Sequence, residues 1–167
     1  NKKIKIGEYI STVYSVSSKI QNFVTNNEFS VYDAPVIQII GQQKYHLDFE
    51  NDRIGRLNYN YNTSDVKFLV YPANRFSKEK SIYNHYEFDI MLMKDLYPGR
   101  LQYFESIRES NEYIQKIVND DLTLEGWENQ IVLEMVDSGY GGGENYAYEL
   151  MFLYEELKVA ALSWMEL

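Results

Sequence analysis

Between Glu8 and Thr25, Ile10, Val13, Tyr14, Ser17, Ile20 and Phe23 recur at spacings of three and four residues, which predicts an amphipathic first helix. Asn26 and Asn27 close it. The Asp33-Ala34-Pro35 turn follows, and the β-branched run Val36 to Ile40 reads as a buried strand.

The pattern then changes to strict alternation. Tyr45, Leu47 and Phe49 oppose His46, Asp48 and Glu50, and Leu57, Tyr59 and Tyr61 oppose Arg56, Asn58, Asn60 and Asn62. A hairpin loop at Asn51-Asp52-Arg53 pairs Asp48 with Arg56 and His46 with Asn58, keeping the polar residues on one face. A second loop, Asn62 to Asp65, pairs Tyr61 with Val66, Tyr59 with Phe68 and Leu57 with Val70. The three segments read as one antiparallel meander, followed by a loop carrying Arg75, Lys78 and Lys80.

A fourth alternation sets Tyr86, Phe88, Ile90 and Leu92 against His85, Glu87, Asp89, Met91 and Met93 and predicts another strand. Tyr97-Pro98-Gly99 ends it. Leu101 to Val118 reads as one helix, or as two broken near Ser110-Asn111, and Gln130 to Asp137 as a further strand. Glu144 to Leu167 carries the strongest helical row, through Ala147, Leu150, Tyr154, Leu157, Ala161 and Trp164, with a second row at Leu153 and Ala160. The breadth of that apolar surface favours a core helix over a coiled-coil seam. The expected fold is α+β: one globular domain over 1–167, with a mostly antiparallel sheet of five or six strands. Helices pack on one face of that sheet, and the C-terminal helix is central.

Charge narrows the partners. The chain has 25 Asp plus Glu against 16 Lys plus Arg, a formal net charge of −9, which repels nucleic acid and anionic membranes and attracts basic proteins. No cysteine is present, so thiol nucleophiles and Cys-ligated metals are excluded. No apolar run reaches the length of a membrane span or follows the N-terminal lysines as in a signal peptide, and a cytoplasmic protein is expected.

Both histidines head a similar pattern, His46-x-Asp48-x-Glu50 and His85-x-Glu87-x-Asp89. On adjacent strands these residues could supply imidazoles and carboxylates to a divalent metal or to acid–base chemistry. Arg56 opposite Asp48 competes with a metal, and a solvated sheet face is charged in any case, so neither metal nor cofactor is expected. A calcium loop starting at Asp48 fails, with Arg53 in place of the turn glycine and Tyr59 in place of the bidentate glutamate. The run from Gly139 to Gly143 has no Gly-Lys-Ser/Thr, and Glu144 opposes an anion there; it reads as a connector or partner-contact loop.

Size, acidity and sixteen tyrosines favour binding over catalysis. The first reading is a small inhibitor of a basic protein such as a toxin or nuclease, of the physical type of immunity proteins and phage-encoded inhibitors. It would act through His46, Asp48, Glu50, Glu87 and Asp89, with Tyr140 and Glu144. One alternative is a metal-dependent enzyme or small-molecule binder using the same face. Another is a structural or regulatory subunit that self-associates through its tyrosines or its last helix.

Overall fold

The computed structural model describes residues 8–27, 36–41, 54–60, 63, 65–71, 84–109 and 121–165. In chain order these form α1 (Tyr9–Asn26), β1 (Ile37–Gly41), β2 (Gly55–Tyr59), β3 (Val66–Val70), α2 (His85–Asp95) and α3 (Gly99–Glu109). Then come α4 (Asp121–Asp137), a single 3-10 turn (Gly142–Glu144) and α5 (Asn145–Met165). Helices take up 72% of the described residues, and the strands make one small mixed sheet. The expected large, mostly antiparallel sheet is therefore wrong. α1 and β1 stand at the expected places in the chain, but β1 is an edge strand, with Ile40 and the preceding Val36 exposed, and not the buried strand expected.

Within the sheet the order is β1-β3-β2, with β1 parallel and β2 antiparallel to β3. Leu57 pairs with Phe68 and Tyr59 with Val66, a shift of two residues from the pairing read off the sequence. A shift of two preserves the faces. Leu57, Val66, Phe68 and Val70 are buried, while Arg56, Asn58 and Lys67 are exposed. The connection is set locally: Thr63 Oγ1 donates to Asp65 Oδ2, and the Asn60 amide donates to the Asp65 carbonyl. The first arm of the meander, with His46, Asp48 and Glu50, lies outside the described residues.

The segment read as a fourth strand is the central helix. α2 packs against α1, α3, α4, α5 and β2, and buries Phe88, Asp89, Ile90, Leu92, Met93 and Asp95. A helix covered on most sides is apolar on most sides, so its sequence gives an alternation that a strand also gives. End chemistry decides the matter. The Asn84 side chain accepts from the Tyr86 amide, Glu87 lies in the first turn and Lys94 in the last, all favourable to a helix of this polarity.

The strand expected over Gln130 to Asp137 is likewise helix, the second half of α4. Ile131, Val132, Met135 and Val136 are all buried, and their spacing traces one helical face although three of the four are β-branched. α5 is helical as predicted but not central. Its inner face holds Tyr148 and Phe152; Leu150, Tyr154, Leu157 and Trp164, expected in the core, are exposed.

Candidate functional site

Two features stand out, a buried polar network and an uncovered helix, and both are built around the join between α4 and α5. α4 ends in a Schellman motif. Gly139, at φ +93°, donates to the Val136 carbonyl and Tyr140 donates to the Met135 carbonyl, with both Tyr140 and Met135 buried. This turn aims the Tyr140 ring inward. Gly141, at φ +90°, then lets the backbone pass the Tyr148 ring, which a Cβ at that position would strike.

The two tyrosines meet Asp89, which α2 carries at 3% exposure. Tyr140 Oη donates to Asp89 Oδ2 at 3.0 Å and Tyr148 Oη at 2.7 Å. Lys19 of α1 completes the set, donating to the same carboxylate at 3.0 Å and to Tyr148 Oη at 3.2 Å, with its ammonium 4.4 Å from the Tyr140 ring centre. Three residues, each far from Asp89 in the chain, thus satisfy one buried charge, as burial of a carboxylate demands.

Burial and the Asp89 carboxylate push both tyrosine hydroxyls far above the ordinary phenol range. Both groups then stay protonated when folded, whereas their unfolded counterparts ionise near pH 10. Their contribution is complete below that pH and is lost above it, by about 1.4 kcal/mol per pH unit for each hydroxyl. Urea midpoints measured from pH 9 to 11.5 should fall steeply beyond 10, and Tyr140→Phe with Tyr148→Phe should flatten that descent. An unchanged slope would separate these hydroxyls from alkaline unfolding.

A pocket of about 400 Å³ opens over the network, lined by Lys19, Phe23, His85, Tyr140, Glu144 and Tyr148 among others. It is poorly suited to an anion, because Lys19 is engaged by Asp89 and the exposed Glu144 stands at the edge. His85 lies 3.9 Å from Glu144, which also accepts from Tyr86 Oη at 3.1 Å.

The residues proposed from sequence are partly reunited, in a different way. Asp89, Tyr140, Glu144 and His85 gather at this corner, but Asp89 is an internal charge and not part of an exposed acidic face. Glu87 departs from them. A hydrogen bond to Glu155 and the nearby Glu87 charge hold the Lys158 pKa up. No group of three or more His, Asp or Glu that could hold a metal occurs among the described residues, and His46, Asp48 and Glu50 lie outside them.

The second feature is α5, expected as a core helix, with its exposure raised in sequence only by the self-association alternative. Along α5, Tyr146, Leu150, Leu153, Tyr154 and Leu157 are exposed, with Leu150 at 71% and Leu157 at 69%. From Leu157 to Trp164 every residue is exposed, although Leu157, Val159, Ala160, Ala161, Leu162 and Trp164 are apolar. A helix apolar on all sides normally lies inside a structure, and an exposed patch of this extent marks an interaction surface. Among the described residues no helix is long and apolar enough to cross a membrane.

No family model matches the sequence, and no curated protein matches it. A solved structure that shares the fold is a chain from Shewanella oneidensis described as "a putative lipoprotein of unknown function". The TM-score is 0.68 at 18% identity, over 94% of this chain. The match spans 28% of that chain, so this domain corresponds to a minor part of it. At that identity the likeness shows the fold alone.

Proposed function

We propose that the domain is an acidic protein-binding module that takes up a basic protein partner on the outer face of α5. The observation that carries this reading is the row of large apolar side chains left in solvent from Tyr146 to Trp164. Covering a side chain such as Leu or Trp contributes about 1.5–3 kcal/mol, so a partner covering several gains substantial affinity. The net charge of −9 selects for a basic partner and speeds encounter with it. Inhibition of that partner, as by an immunity protein, belongs to the same proposal.

A photo-reactive residue at position 162, compared with one at the exposed sheet position 67, tests the surface. The expected result is cross-linking at 162 to a basic protein that also binds the purified domain, and loss of both with Leu153→Glu plus Leu157→Glu. Because those two side chains are exposed, stability should stay within about 1 kcal/mol of wild type. Equal capture by the double variant would overturn the proposal. The same partner trapped before and after cell fractionation would also show whether the domain works in the cytoplasm, as proposed from the sequence, or in the envelope, as the description of the Shewanella chain suggests.

One observation favours self-association as a second reading. Tyr146, Leu150, Leu153, Leu157, Ala160 and Trp164 follow a 4-3-4-3-4 spacing, the seam of a coiled coil, and all are exposed. A single monomer boundary in sedimentation velocity across a concentration series would remove it.

A further inference from the structure

Beside the exposed row, α5 and the start of α2 enclose a groove of about 460 Å³, lined by Asn84, Tyr86, Ala147, Leu150, Met151 and Tyr154. The four α5 residues stand at positions i, i+3, i+4 and i+7. That is the diamond into which one side chain of a facing helix inserts in knobs-into-holes packing. Ala147 is the small member of the four and leaves room at one corner. No lysine or arginine lines the groove.

Its surroundings are acidic. Tyr86, in the wall, donates to the exposed Glu144. The lysines nearest along these helices are already engaged, Lys94 by Glu156 and Lys158 by Glu155. A second copy of the chain would bring its own charge of −9 to this rim.

We infer that the groove is the anchor site for an amphipathic helix of the basic partner, which seats one bulky apolar side chain in the diamond and places Lys or Arg against Glu144. This inference rests on the docking role of α5 proposed above and adds the recognition element. It also makes a statement about geometry that the exposed row alone does not make: the anchor enters near Ala147, away from the projecting end of the helix.

The test uses two fluorescein-labelled synthetic helices with the same leucine heptads, one flanked by Lys and Arg and the other by Glu, titrated with the whole domain in fluorescence anisotropy. Expected is binding of the basic peptide, weaker by about tenfold or more for the acidic one. Ala147→Trp, which fills the diamond, should weaken the basic peptide by about tenfold. Leu150→Ala, which removes one exposed wall, should do so to a similar degree with no folding penalty to confuse the result. Glu144→Lys should narrow the preference between the two peptides.

Equal affinities, or indifference to both Ala147→Trp and Leu150→Ala, would overturn the anchor site. Loss of binding on Leu157→Glu in that same outcome would leave the wider docking surface standing. Dimerisation of the domain without peptide binding would overturn the inference in favour of a second copy. Partition onto phosphatidylcholine vesicles without peptide binding would overturn it in favour of a lipid surface.

Discussion

Replacing Asp89 by alanine should cost about 3–5 kcal/mol of folding stability, a large share of the 5–15 kcal/mol typical of a whole domain. The substitution strands three donors at once. Tyr140 and Tyr148 lose their acceptor in a buried setting, and Lys19 loses its counter-charge. Each buried hydroxyl left unsatisfied costs about 1–3 kcal/mol, so the two tyrosines alone account for much of the effect. Asp89→Asn should be milder, since an amide oxygen still accepts from both hydroxyls while the attraction to Lys19 is lost. Lys19 is half exposed and can turn its ammonium to water, so Lys19→Met should cost less than either change at Asp89. Urea unfolding of the three variants gives the order directly. If Asp89→Ala unfolds within about 1 kcal/mol of wild type, the carboxylate is not held as described.

The burial of Asp89 is also where the alternating sequence pattern misleads. Alternation by two places Asp89 with Glu87 on one side of a strand. On a helix, residues two apart diverge by about 200°, so one goes inward and the other outward. The same error hid the Schellman turn: Ser138-Gly139-Tyr140 is a plain helix ending once Gln130 to Asp137 is read as helix, and an unremarkable loop when it is read as strand. Tyr140, expected at the surface, is internal, because the turn that follows α4 points it inward where a connector loop would leave it free.

α1 was legible because it shows a period that its surroundings support: it buries one stripe, Tyr9, Val13, Ser17, Ile20 and Val24, with Val16 and Phe23 partly covered beside it. α5 was legible as a helix for the same reason of spacing, yet its burial was not. Periodicity identifies a helix and its apolar side, but it cannot say whether that side meets the parent domain or another molecule. Tyr148 and Phe152 bind α5 to the body, and the row judged to be the core contact is the one left outside. The two-residue slip between β2 and β3 has a related cause, since a shift of two leaves every side chain on its own face and the hydrophobic pattern is blind to it.

Met93→Ala is the sharpest discriminator between the two readings of residues 85–95, and it should cost about 2–5 kcal/mol. In a strand, Met93 would share the solvent side with Glu87 and tolerate truncation. In α2 it is fully buried beside Leu92 and Leu96, as Phe88 is one turn earlier. Phe88→Ala should cost about 3–5 kcal/mol, because Phe88 has no solvent exposure and its loss leaves a cavity among packed helices. It also meets Tyr9 of α1 edge to face, with ring centres 5.5 Å apart, a geometry worth about 0.5–1.5 kcal/mol beyond burial. Met91, only partly buried at the edge of the core on the same helix, supplies the internal control and should lose less on truncation. The expected order is Phe88 and Met93 severe, Met91 mild, a pattern that alternation by two cannot produce because Met91 and Met93 would then share a face. Guanidinium unfolding of the three alanine variants measures it, and equal losses at Met91 and Met93 would return the segment to a strand. Since α2 carries Asp89 and opens the groove with Tyr86, the severity at Phe88 and Met93 also measures how firmly the candidate binding surface is held.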